Sequence, residues 1–174
     1  MALADLPDWN VESVPELTDI EETGTTFLEN ATLKAAHYSR FIEGLVLADD
    51  SGLCVDALEG RPGVHSARYA PSTTERNARL LGELAALPPN ADRGAAFYCA
   101  FAVARAGSVV WTVQSNLPGR IATEPTGEFG FGYDPIFFVS DLGKTLAQMS
   151  GPEKNQVSGR GQALQALRTF LVSQ

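Results

Sequence analysis

The chain has 174 residues, of which 44 % are apolar and 20 % charged, with a formal net charge of −8 and a pI near 4.7. Length and composition fit one globular domain with a full core. The acidic balance excludes broad, sequence-independent binding to nucleic acid or to an anionic membrane, although a few local cations or a metal can reverse the field inside a cleft.

Residues 1–25 are acidic, contain prolines and show weak periodicity. The opening "MALADLPDWNVESVPEL" has neither a basic n-region nor an apolar h-region, and no apolar run is long enough to span a bilayer, so a cytoplasmic protein is expected. A helix is predicted from about Phe27 to Ile42. Thr26 and Glu29 form a T-x-x-E capping box, and Phe27, Leu28, Ala31, Ala35, Tyr38 and Ile42 make its apolar stripe. Gly44 ends it. Leu45 to Ala48 reads as a short buried strand, and residues 53–58 as another.

"TTERNARLLGELAAL" is a second helix, capped near Thr73 or Thr74 and stopped by "PPN". "RGAAFYCAFAVARAG" and "SVVWTVQSNLPGRIAT" are two strands joined at Ala106-Gly107-Ser108, a hairpin signal. "FGFGYDPIFFV" is a glycine-rich turn running into an apolar strand. A short helix is expected near Lys144, and a last helix from Gly151-Pro152 to the C-terminus. Interleaved helices and strands give an α/β class with some antiparallel pairing.

The stretch "LADDSG" poses a chemical question: Asp49 and Asp50 follow a buried strand at once, although each carboxylate is costly to desolvate and the two repel. At the carboxyl end of a strand, where ligands of α/β sheets bind, two carboxylates suit Mg²⁺ bridged to phosphates. The plain alternative is an Asp-Ser-Gly turn. Three further stretches are weak alone. Glu21 and Glu22 precede the first helix, on which Asn30 and Lys34 share a face. "GEFGFGYDP" sets Gly127, Gly130 and Gly132 around Phe131 and Tyr133, where a base can stack, or where core aromatics simply bend. Lys154 and Arg160 stand near the start of the last helix, as anion readers or as solvated charges. His37 and His65 have no matching partners, and Cys54 and Cys99 read as small buried thiols.

Taken in order, "EETGTTFLENATLKA", "LADDSGLCVDALEGRPGVHSARYA", "GEFGFGYDPIFFV" and "PEKNQVSGRGQAL" resemble the successive motifs of the inosine triphosphate pyrophosphatase family, enzymes that hydrolyse non-standard purine nucleoside triphosphates such as ITP, dITP and XTP. The resemblance covers most of the chain. It implies an elongated, two-lobed α/β fold with a central mixed sheet flanked by helices, dependence on Mg²⁺, and a homodimer. By motif match, Glu22 and Asp50 act at the metal, with Asp50 as base for the attacking water. Lys34 meets phosphate and Ser51 lies at the substrate. Phe131, Gly132, Tyr133 and Asp134 hold the nucleoside, with Lys154 and Arg160 at the base end.

Two departures from the family pattern stand out. No T/S-x-N-x-x-K match, the triphosphate-gripping loop with which the pattern opens, occurs in the chain. The expectation is a single domain over residues 1–174 lacking that loop and its strand, with a natural start upstream. Gly159 also stands where the family usually has His, which predicts relaxed discrimination against guanine. These departures leave two alternatives open: a catalytically impaired, nucleotide-binding or dimerising remnant, and a related pyrophosphatase acting on modified pyrimidine triphosphates.

Overall fold

The computed structural model describes residues 10–13 and 20–173, so most of the acidic opening segment lies outside the described residues. The elements run α1 (Phe27–Tyr38), β1 (Val46–Val55), α2 (Thr73–Ala85), β2 (Gly94–Arg105), β3 (Ser108–Ile121), β4 (Phe137–Val139), β5 (Lys144–Thr145), α3 (Gly151–Val157) and α4 (Gly159–Val172). The strands form one sheet in the order β1-β2-β3-β4-β5, and every pairing among the described residues is antiparallel. The α/β class therefore holds, with hairpin connectivity at its centre.

Strand β1 differs most from expectation. It does not stop at Ala48 but runs on through Asp49, Asp50, Ser51 and Gly52 to Val55, so residues 53–55 are its continuation and no separate strand. The ladder explains this. Asp49 opposes Phe101, Asp50 opposes Ala100 and Ser51 opposes Cys99 on β2, so the backbone polar groups are satisfied by pairing. Side chains alternate across a strand, and the two carboxylates therefore leave on opposite faces.

Those faces are packed differently. On one, Ala100, Ala102 and Ala104 of β2 are small enough to admit α1, which presents Phe27, Ala31 and Ala35. On the other, Cys99, Phe101 and Val103 pack against Ala163, Leu167 and Leu171 of α4. A third cluster joins Leu53 and Val55 to Leu80 and Leu84 of α2 and to Phe137. Each fully buried Leu or Phe there contributes roughly 1.5–3 kcal/mol of transfer free energy. Asp50 shares the α1 face with Ala100, and Asp49 the α4 face with Phe101.

Helix α1 has the expected Thr26–Glu29 capping box but ends at Tyr38, short of Ile42. Ser39 stops it: its buried hydroxyl accepts from Gly107 N at 2.9 Å, tying the helix end to the β2–β3 hairpin. That hairpin turns through Ala106 and Gly107, both at positive φ, as a two-residue loop of this hand requires. Helix α2 is capped by Ser72, one residue before the expected position. The expected short helix at Lys144 is instead β5 followed by a 3-10 turn over Leu146–Gln148. The last helix is two. Ser158 has extended backbone, ends α3 and caps α4, its hydroxyl accepting from Gly161 N. The break needs Gly161, because a Cβ there would overlap the Asn155 carbonyl.

Candidate functional site

The α1 face of β1 carries a charged cluster. Lys34 Nζ donates to Glu22 Oε1 at 2.9 Å and lies 3.8 Å from Asp50 Oδ1. Arg68, from the 3-10 segment Gly63–Arg68, donates to the other Glu22 oxygen at 3.1 Å. Asp50 Oδ2 accepts from Asn30 Nδ2 at 3.0 Å, and Oδ1 from its neighbour's backbone N–H, Ser51, at 3.0 Å. Asn30 also accepts from Gly24 N at 2.8 Å, fixing the chain just after Glu22. Lysine on α1, one turn from Asn30, is thus set between two carboxylates from different segments.

The charges of the cluster formally cancel, Lys34 and Arg68 against Glu22 and Asp50. Burial pushes the Asp50 carboxyl above its ordinary range, against the opposing pull of Asn30 and Lys34. The hydrogen bond from Lys34 holds Glu22 below its ordinary range. Among the described residues, no group of three or more His, Cys, Asp or Glu side chains forms a metal cage. Glu22 and Asp50 offer hard carboxylate oxygens from two groups, the donor set that Mg²⁺ uses when waters and substrate phosphates supply the rest, and so they fit that ion.

Around the β1 edge, on the α4 side, lies a cavity of about 430 Å³ whose walls include Ser51, Phe97, Cys99, Phe131, Lys154 and Arg160. The turn Gly130–Asp134 frames one side of it. Gly130 is at positive φ, and a Cβ there would overlap the Asp134 carboxylate. Buried Asp134 accepts from Phe131 N at 2.7 Å and from Lys154 Nζ. Phe131 is 72 % exposed, and Lys154 Nζ sits 4.3 Å above its ring. Gly132 and Tyr133 line the cavity as well, with the Tyr133 hydroxyl end turned into the protein. Tyr133 is buried, its hydroxyl donates to Ser66 O at 2.9 Å, and burial raises its pKa to about 12. Gly132 accepts from Asn77 Nδ2 at 3.2 Å.

The structure thus brings Glu22, Lys34 and Asp50 together, and Phe131, Asp134 and Lys154 together. Arg160 lines the same cavity as Lys154 but pairs with a different carboxylate, Asp49, at 2.5 Å. Ser51 lines the cavity one residue beyond Asp50, so the two sets meet where β1 passes from one to the other. Gly52 follows without a side chain, and a Cβ there would come within 2.7 Å of Gly63 O and of the Phe27 ring. Gly159 is buried at the first position of α4, with Ser115 Oγ donating to its carbonyl at 2.6 Å.

Sequence reasoning gave no role to Arg68, Asn30 or Arg76, and it read Asp49 with Asp50 as a pair of metal-side carboxylates, whereas the strand register sends Asp49 to the opposite face, onto Arg160. Arg76 lines the cavity and donates to Ala67 O at 2.6 Å and to Thr73 Oγ1 at 2.9 Å. Asn30 carried a signal, as an amide beside the apolar stripe of α1 and one turn from Lys34. Arg68 lay inside "GVHSARYA", an aperiodic stretch in which no spacing points to a partner.

The chain matches the model of the Ham1 family over residues 2–170. It is 52 % identical over 156 residues to the dITP/XTP pyrophosphatase of Geobacillus kaustophilus (strain HTA426), covering 88 % of this chain and 76 % of that protein. It is 49 % identical over 161 residues to the dITP/XTP pyrophosphatase of Streptococcus pyogenes serotype M1, covering 91 % of this chain and 49 % of that one, so it spans about half of that relative's length. Among solved structures, a HAM1 protein from Coxiella burnetii superposes with a TM-score of 0.85 at 43 % identity, covering 90 % of this chain and 82 % of that one.

Proposed function

Because the chain belongs to the Ham1 family, we propose that it hydrolyses non-standard purine nucleoside triphosphates (ITP, dITP and XTP) to the monophosphate and pyrophosphate, with Mg²⁺. The observation that carries the reading is the fixed, partly buried carboxylate of Asp50 beside the Glu22–Lys34 pair, next along the chain to the cavity wall at Ser51.

Glu22 and Asp50 would hold the ion, which when bound supplies charge stabilisation on the phosphates. Asp50, with its proton affinity raised by burial, takes the proton of the attacking water. The water oxygen bonds to the α-phosphorus, the bond from that phosphorus to the α–β bridging oxygen breaks, and pyrophosphate leaves. Asn30 and the Ser51 amide keep the carboxylate aimed while it does so. Lys34 and Arg68 offset the charges of Glu22 and Asp50 where the phosphates gather, so the cluster is formally neutral within a chain of net −8.

At the cavity, the exposed Phe131 face takes the purine ring, and Asp134 keeps Lys154 beside it. Arg160 offers N–H donors to a 6-oxo purine and would oppose the 6-amine of adenine. The homodimer implied by the resemblance belongs to the same proposal. The test is pyrophosphate release from ITP, dITP and XTP with Mg²⁺, in the chain and in Asp50→Asn. Turnover should fall by about 10²-fold or more in the variant, the usual scale for losing a general base. Near-unchanged turnover would remove Asp50 from the mechanism. Orthophosphate as product, or nucleotide binding without turnover in the unaltered chain, would overturn the reading.

A further inference from the structure

We propose that Asp49 is a positioning residue for Arg160 and, through it, sets which purine the cavity accepts. The inference rests on the nucleotide-hydrolase reading above. Asp49 Oδ2 and an Arg160 Nη are 2.5 Å apart across 111 residues of sequence. Asp49 leaves β1 on the face toward α4, opposite to Asp50. Arg160 is part of the cavity wall and Asp49 is not, so Asp49 reaches a ligand only through the guanidinium.

The two side chains of the pair are half-exposed, 39 % for Asp49 and 47 % for Arg160. An ion pair so open contributes little to stability. Its consequence is geometric. A guanidinium is a rigid plane of donors, and fixing one Nη fixes the direction of the rest. A second tether acts on the backbone beside it, where Ser115 Oγ donates to Gly159 O at 2.6 Å. Strand β3 thus places the first turn of α4, and β1 orients the side chain that the turn carries.

Arg160 has more to do here than in a chain with a side chain at position 159. Gly159 contributes no side-chain donor, and Lys154 is held by Asp134. The guanidinium, with only one Nη held by Asp49, keeps further N–H donors on the same wall as Asn155 and Ser158. A donor held in one direction favours a 6-oxo purine over a 6-amino purine strongly, whereas a swinging one finds other acceptors and discriminates less.

The experiment uses the full chain with Mg²⁺ and compares kcat and KM for ITP, GTP and ATP. The variants are Asp49→Ala, Asp49→Asn, Asp49→Glu, Arg160→Gln and Asp49→Ala combined with Arg160→Gln. Asp49→Ala should lower kcat/KM for ITP by about tenfold, mainly through KM, as expected for lost ground-state positioning. The ITP-to-ATP preference should narrow by a similar factor, and Asp49→Glu should restore most of both. In the Arg160→Gln background, Asp49→Ala should change kcat/KM by less than about twofold, because its effect passes through the missing side chain. Additive losses in the double variant, or an unchanged ITP-to-ATP ratio in both Asp49→Ala and Asp49→Asn, would overturn the proposal. Calorimetry with inosine 5′-monophosphate in the absence of metal reads the same coupling without turnover. Turnover failing in the unaltered chain while monophosphate binding still weakens in Asp49→Ala would refute the hydrolase reading and leave the Asp49–Arg160 link supported. No monophosphate binding and no turnover in the unaltered chain would refute both.

Discussion

Removing the Asn30 amide should loosen both carboxylates of the charged cluster at once. Asn30 is fully buried and uses each end of its side chain, donating to Asp50 and accepting from Gly24. In Asn30→Ala the bond to a largely buried carboxylate is lost, worth roughly 1.5–3 kcal/mol, along with a neutral bond of about 1 kcal/mol. The Gly24 end is partly solvated and recovers some of its share from water, so the net loss is roughly 2–4 kcal/mol. For a chain of this size that lowers the melting temperature by about 5–12 °C.

The pH dependence follows from the same bond. Asn30 favours the ionised Asp50, opposing the burial that raises its pKa. Without it the carboxyl titrates at higher pH, and the acid limb of kcat/KM for ITP should move upward. The stability gap between the variant and the parent chain should be widest near neutrality, where Asp50 must be ionised while buried. It should narrow as the pH falls through the raised folded-state range of the Asp50 carboxyl, above its ordinary value of 3.8, because the two unfolded chains titrate alike and cancel. Asn30→Asp is a sharper test. It keeps the acceptor for Gly24 and sets a second carboxylate against Asp50, so the pair should share a proton and the acid limb should move further. Urea unfolding and a pH–rate profile measure both effects. An unmoved acid limb together with a melting temperature within 2 °C would refute the bracing role, since a loss that small is less than one such hydrogen bond.

Two further predictions concern the last helices. Gly161→Ala should destabilise by roughly 1–3 kcal/mol, the usual scale of overpacking, because the new methyl displaces the Asn155 carbonyl. It should also weaken base discrimination in the substrate panel, since α3 carries Lys154 and α4 carries Arg160; a stable variant with an unchanged ITP-to-ATP ratio would refute the packing argument. The Ser150 backbone N–H and hydroxyl, with Lys144 nearby, hold the Glu153 carboxyl down to about 2. Its contribution is complete above the unfolded value of 4.5 and is lost as the pH falls through about 2. The stability lost in Glu153→Gln should therefore be larger at pH 6 than at pH 2.5, by thermal unfolding at each pH, and an equal loss at both would show that the carboxylate charge plays no part in the cap.

Much of this site was legible because its parts are local. The Thr26–Glu29 box, the stripe of α1, the hairpin at Ala106-Gly107 and the turn from Gly130 to Asp134 are each set by neighbours within a few residues, and the structure has them all. The misplaced ends have a different cause. Helix α1 stops where Ser39 meets Gly107, and the last helix breaks where Gly161 meets Asn155. Nothing in the apolar period of either helix anticipates those contacts. Arg68 was invisible for the same reason: its partner Glu22 lies 46 residues away, on a segment with no regular structure.

The doubled Asp shows why the sequence suggested the chemistry and misjudged its geometry. Two adjacent carboxylates look like one acidic end if the strand stops before them. Once β1 continues, the same pair is split by the pleat, and repulsion between them is relieved by direction. Asp50 turns to α1, where Asn30 and Lys34 hold it, and Asp49 turns to α4, where Arg160 holds it. One dipeptide thereby ties the cluster that would handle phosphate to the helix that would handle the base. The substitutions that separate these duties are adjacent in the chain. Asp50→Asn should act on kcat, and Asp49→Ala on KM and substrate preference.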